Sequence, residues 1–357
     1  MRINLQAPIN QLGYGVAGLN ILKALQDKTE VSLFPIGQPQ VTSQEDADAV
    51  RKGLETAQMF DPNAPCIKIW HQNQMAERIG SGKFIGFPIF ELDTFSDLEK
   101  HHLNSCDELM VCSRWAKQVC LDQLYMSPNG HTYLDADAKI HIVPLGVDTD
   151  VFKPSPARNR QGTIFFNCGK WEVRKGHDIL AGAFKEHLKS HPNSQLWMMC
   201  SNPFNSPDEE NKWIQLYTHP NIRIIPRADT QKDVYNIMSQ VDCGVFPSRG
   251  EGWNLEVIEM MAAGKHIITT DYSAHTEFCN SENSFLIPVE SVEPAFDGKW
   301  FFGQGNWGKI DPIKITEKMN LVAQTLSNGS VNSAGIETSK KFSWQNSARK
   351  IIEYVNA

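Results

Sequence analysis

Short apolar runs alternate with amphipathic stretches along all 357 residues, and that alternation restricts the chain to a layered α/β architecture. The strand-like runs fall at 3–7, 31–34, 67–71, 83–90, 108–112 and 140–144, then at 163–168, 195–201, 222–226, 243–247, 266–270 and 284–289. Helical patterns lie between them, as at 18–26, 113–124, 178–190, 231–239 and 313–326. Strands separated by helices pair in parallel, because only a crossover of that length returns the chain in the same direction. The length implies two domains. The segment 147–161, with Pro154 and Pro156, reads as the linker between them. A last helix, at about 344–355, carries Ala348, Ile351, Ile352 and Val355 on one face and needs a surface to cover.

Charge narrows the partners. Residues 1–150 carry 12 Lys+Arg against 19 Asp+Glu, whereas residues 151–357 carry 22 of each. An acidic first half offers no electrostatic footprint for nucleic acid or an anionic membrane. The eight cysteines show no C-x-x-C pair and no zinc spacing, and several sit in apolar runs, so they read as small buried hydrophobes. No apolar stretch approaches the ~18 residues of a membrane helix. Met1-Arg2-Ile3-Asn4-Leu5 runs straight into a strand instead of a leader, so a cytoplasmic location is expected.

The densest chemistry lies in Phe246-Pro247-Ser248 followed by Arg249-Gly250-Glu251-Gly252-Trp253-Asn254-Leu255-Glu256-Val257-Ile258-Glu259. An apolar strand is broken by Pro247 and Gly250, and a helix is expected from about 254 to 263. Glu251 then lies on a loop at a strand's carboxyl end, where open α/β sheets bind ligands. The free N–H groups from Gly252 to Leu255 suit an anion. Glu259 falls at the edge of the apolar arc of Leu255, Ile258 and Ala262, a costly place for a carboxylate without donors. A vicinal diol such as a ribose would supply them. A second constellation, Gly169-Lys170-Trp171-Glu172-Val173-Arg174-Lys175-Gly176, also follows a strand, and its cations suit a diphosphate.

Other features are weaker. Gly13-Tyr14-Gly15-Val16-Ala17-Gly18 has the G-x-G-x-x-G spacing, but five residues separate it from the strand, and the next strand is followed by Pro35-Ile36-Gly37 without an acid. Both departures count against a nicotinamide dinucleotide and favour a glycine loop touching a phosphate or sugar, with a purely structural turn as the alternative. Asp46-Ala47-Asp48, Asp135-Ala136-Asp137 and Asp148-Thr149-Asp150 read as solvated loops, and His71, His101, His102 and His275 have no ligand spacing. No metal site and no cofactor are expected.

The stretch Pro247-Ser248-x-x-Glu251-Gly252-Trp253-Asn254-Leu255-x-x-Ile258-Glu259-x-Met261-Ala262-x-Gly264 resembles the signature of the retaining glycosyltransferases of family 4, with its E-x7-E motif. Ile142-Val143-Pro144-Leu145-Gly146-Val147-Asp148, Lys175-Gly176, Asp107 to Ser113 and Phe342-Ser343-Trp344 match as well. The resemblance implies a GT-B fold: two Rossmann-like domains facing each other across a cleft, with the terminal helix crossing back to the first. The domains would be 1–155 for the acceptor, 156–335 for the nucleotide-sugar, and 340–357 for that helix. It further implies that Glu259 binds ribose hydroxyls and that Lys170 and Lys175 clamp a diphosphate. Glu251 and the backbone of Gly252, Trp253, Asn254 and Leu255 would hold the donor sugar, with Gly13, Tyr14 and Gly15 closing over the diphosphate.

Three segments depart from the family. Lys170 stands where an Arg is usual, losing the bidentate fork. Glu91, with Asp93 after it, stands where many members carry a His near the reacting sugar. Trp253, Asn254 and Glu256 replace Phe, Gly and Pro, although Asn tolerates a left-handed backbone. The expected activity is metal-independent, retaining transfer of a sugar from a nucleotide-diphosphate sugar to an acceptor hydroxyl on a sugar, glycan or other compound. Glu251 and Glu91 would be the catalytic residues. The alternatives are an NAD-dependent oxidoreductase, or a silent sugar-nucleotide-binding protein of the same fold.

Overall fold

The computed structural model describes residues 1–124, 137–155, 161–326 and 330–356. They form two compact units, Met1–Gly146 with Phe342–Ala357, and Val147–Lys341.

In the first unit, the described strands β1 (Arg2–Ala7), β2 (Glu30–Pro35), β3 (Cys66–Trp70), β4 (Phe84–Pro88), β5 (Glu108–Val111) and β6 (Ile140–Ile142) make one parallel sheet in the order β2-β1-β3-β4-β5-β6. Helices α1 (Gly13–Gln26), α2 (Gln44–Ala57), α3 (Asp97–Asn104) and α4 (Arg114–Leu124) connect these strands. Strands β3 and β4 bury nearly every residue, as parallel strands covered on both faces must.

The second unit repeats the scheme. Strands β7 (Ile164–Gly169), β8 (Gln195–Cys200), β9 (Ile222–Ile224), β10 (Cys243–Phe246), β11 (His266–Thr270) and β12 (Phe285–Ile287) pair in parallel in the order β12-β11-β10-β7-β8-β9. Counted from β7, this is the Rossmann order 3-2-1-4-5-6 read backwards. Helices α5 (His177–His187), α6 (Pro207–Leu216), α7 (Gln231–Met238), α8 (Leu255–Ala262), α9 (Pro312–Thr325) and α10 (Ser333–Lys341) accompany it. An antiparallel ribbon, β13 (Val292–Phe296) with β14 (Phe302–Gly308), stands outside the sheet and has no counterpart among the expected strands.

The last helix, α11 (Trp344–Asn356), belongs to the first unit, where it packs on α1. Its buried face is Trp344, Ser347, Ala348, Ile351 and Val355, and Ser347 Oγ donates to the Pro144 carbonyl at 2.6 Å. Tyr354 stacks on His141 with centroids 4.3 Å apart.

Two expectations are corrected. The boundary between units falls at 146/147 instead of 155/156, because 147–155 is packed chain and not a free linker. Phe152 is buried, its ring meets Tyr235 edge-on, and the Ser155 N–H donates to the Ala263 carbonyl at 3.2 Å. Asp46 and Asp48 lie on α2 and not on a loop: Asp46 accepts from Lys23 at 2.9 Å, and Asp48 pairs with Arg51 at 2.5 Å.

Gly176, the cap of α5, has φ +74, and a Cβ there would collide with the Pro247 carbonyl. This close approach seats the loop after β7 against the loop after β10. Gly176→Ala is expected to lower the unfolding free energy of this unit by about 2 kcal/mol, combining left-handed strain with the collision. Urea unfolding followed by tryptophan fluorescence measures it, and an unchanged midpoint would refute the packing argument.

Candidate functional site

In the second unit the strand order reverses between β7 and β10, and ligands of open α/β sheets collect beyond the carboxyl ends of such a pair. The two sequence constellations are the loops at those ends. Trp171 anchors the first: it is buried, stacks on Trp213 at 5.7 Å and lies 5.1 Å from Tyr217.

The loops are joined by a chain of alternating charge. Lys170 Nζ lies 2.8 Å from Glu172 Oε1, and Glu172 Oε2 lies 2.7 Å from Arg174 Nη2. Arg174 Nη1 then reaches Glu251 Oε2 at 2.9 Å, and Glu251 Oε1 accepts from Lys175 Nζ at 3.0 Å and from Ser248 Oγ at 2.8 Å. Glu172, Arg174, Lys175 and Glu251 are all buried. Burial alone would push the Glu251 carboxyl up, but the Arg174 and Lys175 cations outweigh it and hold it far below the carboxylate range. Burial likewise opposes the Lys175 ammonium, and Glu251 reverses the effect. Both groups are therefore charged at any physiological pH. Of the cations expected to face a diphosphate, Lys170 is the more open one, its side chain 35% exposed.

Glu259, on α8, contrasts with Glu251. It is 8% exposed, and among the described residues nothing hydrogen-bonds or ion-pairs with its carboxylate. Burial, and then the charge of Glu256, push it well above the usual carboxylate value. Asn254 begins α8 with φ 81 and ψ 79, the left-handed conformation its residue type tolerates. Its Nδ2 lies 3.0 Å from His275 Nε2, and its buried Oδ1 has no partner among the described residues. Gly252 and Trp253 are buried, and the Trp253 ring packs on Phe278 at 4.8 Å, so its indole serves the core. Leu255 is the first residue of α8 and is buried as well.

Gly13, Tyr14, Gly15 and Glu91 lie in the first unit. Gly13 to Gly15 are the first turn of α1 and not a loop, and Leu12 before them supplies no side-chain cap. Gly15 and Gly18 are set by packing, since a Cβ would strike Asn10 at one and the Pro8 carbonyl at the other. Tyr14 Oη donates to the Ile89 carbonyl at 2.5 Å and accepts from the Ile89 N–H at 3.1 Å. Burial raises its hydroxyl's pKa, and the charge of Glu91 adds to that. Glu91 is half-buried just beyond β4. The His71 ring lies 4.6 Å from Tyr14.

Several site residues went unforeseen. Ser273 Oγ accepts from the Glu251 N–H at 2.9 Å, and Thr269 Oγ1 lies 3.0 Å from His275 Nδ1. His177 lies 2.9 Å from Asn167 Oδ1 through Nε2, and its Nδ1 accepts from the Glu172 N–H at 3.2 Å. Asp148 Oδ1 accepts from the N–H of Asp150 at 2.8 Å, closing a turn. Asp135 and the side chain of Asp137 lie outside the described residues. Among the described residues, no three His, Cys, Asp or Glu side chains are grouped as metal ligands, and no helix is long and apolar enough to cross a membrane.

Residues 162–297 match the model of the glycosyl transferases group 1. The HepE protein of Anabaena, solved with UDP-glucose, superposes with a TM-score of 0.70 at 15% identity, covering 100% of this chain and 99% of that one. The fold is GT-B. A putative glycosyltransferase of Sulfolobus islandicus filamentous virus is 22% identical over 214 residues, 58% of this chain and 54% of the viral protein. An MMP alpha-(1->4)-mannosyltransferase of Mycolicibacterium hassiacum is 23% identical over 183 residues, 51% of this chain and 41% of that protein. The chain therefore spans about half the length of these curated relatives.

The GT-B unit that holds the charged loops should be acid-labile. Burial, reinforced by Lys175, lowers His177 to about 3, and burial lowers His275 to about 4. An unfolded chain titrates its histidines near ~6.5. Their contribution is thus complete above that value and is lost as pH falls through the folded ones. Unfolding midpoints should drop steadily below pH ~6.5, and His275→Gln should flatten the slope. Arg174→Met, which strips both Glu172 and Glu251 of a cation, should cost about 3–5 kcal/mol at pH 7 in urea unfolding.

Proposed function

We propose that this chain is a glycosyltransferase that moves a sugar from a nucleotide-diphosphate sugar to an acceptor hydroxyl, with retention of configuration and without a metal. Glu259 carries the reading. A carboxylate buried at the switch point without a donor is stable in use only beside a ligand rich in hydroxyls, and a ribose diol offers two. Asn254 Oδ1, buried and without a partner among the described residues, would take a further sugar hydroxyl in this reading. The match of residues 162–297 to glycosyl transferases and the UDP-glucose bound by the Anabaena neighbour support the same donor class.

The leaving group would be a nucleoside diphosphate. Lys170, Lys175 and the uncapped start of α8 provide positive potential for its developing charge, which a metal supplies elsewhere. Lys175 would then be shared between Glu251 and the phosphate. The bond from the anomeric carbon to the phosphate oxygen breaks as the acceptor oxygen bonds to that carbon on the same face. The departing phosphate oxygen takes the acceptor proton. Glu251, kept ionised by Arg174 and Lys175, cannot deliver a proton and instead orients the donor sugar through its hydroxyls. In the first unit, the N–H groups at the start of α1 (Gly13, Tyr14, Gly15) suit an anion, and Glu91 suits a substrate hydroxyl.

Thermal shift with UDP, GDP, ADP, CMP and NAD⁺ in EDTA is the decisive screen. One nucleoside diphosphate should stabilise the chain by about 2.7 kcal/mol at 100 times its dissociation constant. That shift should vanish in Glu259→Ala, and Glu251→Gln should lower turnover more than binding. A response to NAD⁺ alone would sink the proposal. Glu259→Gln should raise the melting temperature of the unliganded chain at pH 7, by about 2–4 °C for each kcal/mol of burial cost relieved.

A further inference from the structure

The ribbon of β13 and β14 holds large aromatic rings in solvent on a rigid mount. Phe296 is 61% exposed, Phe302 66%, Trp300 47% and the neighbouring Phe204 52%. Phe296 and Phe302 face each other across the strands with centroids 6.3 Å apart, and Phe204 meets Trp300 edge-on at 5.8 Å. Outward aromatic pairs of this kind mark a surface built for contact.

Both ends of the ribbon are tied to the candidate site. At the base, Trp307 is buried beneath the Arg249 guanidinium, 5.7 Å from its ring centre, and Gly308 N–H donates to the Arg249 carbonyl at 2.7 Å. Arg249 stands two residues before Glu251 and is itself locked to Asp178 by bonds of 2.8 and 2.9 Å. At the tip, Asp297 Oδ1 accepts from the N–H groups of Lys299, Trp300 and Phe301 at 2.8 to 2.9 Å. Lys299 Nζ then reaches the Phe204 carbonyl at 3.0 Å, with Asn205 and Glu209 each at 2.9 Å. The Phe204 ring lies 5.7 Å from the ammonium of Lys170. The aromatic surface is thus continuous with the Lys170 end of the charged loops.

We propose that this ribbon is an acceptor subsite for a neutral oligosaccharide, an inference that rests on the glycosyltransferase reading. A pyranose ring presents an apolar, weakly positive C–H face and a rim of hydroxyls. The C–H face stacks on the negative face of an aromatic ring. The rim would meet the second N–H of the exposed Gln304, whose amide already accepts from the Phe302 N–H at 2.6 Å and donates to the Trp300 carbonyl at 3.1 Å. Charge argues against an anionic occupant: residues 290–309 carry Glu290, Glu293 and Asp297 against Lys299 and Lys309, and Asp208, Glu209 and Glu210 lie at the start of the adjoining α6. A nucleic acid or an anionic bilayer would be repelled. Rings spread along the ribbon suit several sugars in sequence, so longer acceptors gain most.

The test compares the full chain with Phe302→Ser/Trp300→Ser by calorimetric titration of linear neutral malto-, cello-, manno- and galacto-oligosaccharides of two to six rings. Circular dichroism checks that both are folded. Expected is binding of at least one series, tighter with length, weakened at least tenfold in the double variant while the nucleoside diphosphate thermal shift is unchanged. No binding by any series, or equal binding by the variant, overturns the subsite. So does a ribbon whose substitution abolishes self-association or adsorption to phosphatidylcholine vesicles and leaves oligosaccharide binding intact. A wild-type chain that shows no nucleoside diphosphate shift overturns the transferase reading and the acceptor role with it. The two failures are therefore read in separate experiments.

Discussion

The chain Glu172–Arg174–Glu251–Lys175 fastens the loop after β7 to the loop after β10, and the geometry of the candidate site follows from it. Four buried charges are expensive to desolvate, and the arrangement survives because each is paired and further satisfied by neighbours such as Ser248 Oγ and the Gly250 carbonyl. A hydrophobic joint would hold the loops as firmly. It would not keep a carboxylate ionised at a strand's carboxyl end, which is where the proposed transfer needs one.

Glu251 and Glu259 lie eight residues apart and have opposite electrostatics. One is surrounded by cations and pinned below its usual range, and the other is desolvated without a donor and pushed above it. In the proposed reading the difference separates their roles: the saturated carboxylate would position the donor sugar, and the one without a donor would take a ligand that brings its own hydroxyls. The second is then a local cost to folding, a trade of the kind made where a site recognises hydroxyls.

Much of this was legible in the residues. All twelve expected strands are present, because parallel strands buried on both faces are written as continuous apolar runs. Asn254 also carried its backbone meaning openly, since the left-handed conformation admits few residue types. Helices α2, α3, α6 and α10 were not foreseen. They bury almost nothing apolar, with Leu103 alone fully buried on α3 and none on α6, so their 3.6-residue stripe is faint. For α3 and α6 the signal was capping. Ser96 with Glu99 and Ser206 with Glu209 form capping boxes whose S-x-x-E spacing stands in the chain. The ribbon escaped notice because glycine, proline and charged residues interrupt its alternation.

By itself the sequence determined the α/β class, the two-part organisation and which loops concentrate charge at strand ends, because hydrophobic period, turn residues and charge type are local properties. Only the tertiary structure decided which charges are satisfied. Arg174 reads in sequence as one cation among three facing an anion, yet it is buried between two carboxylates that flank it from different loops. Pairing depends on which strand ends become neighbours, and the β7–β10 adjacency joins residues some 76 positions apart. Ionisation, burial and the availability of Glu259 all follow from that adjacency, and no window of sequence contains it.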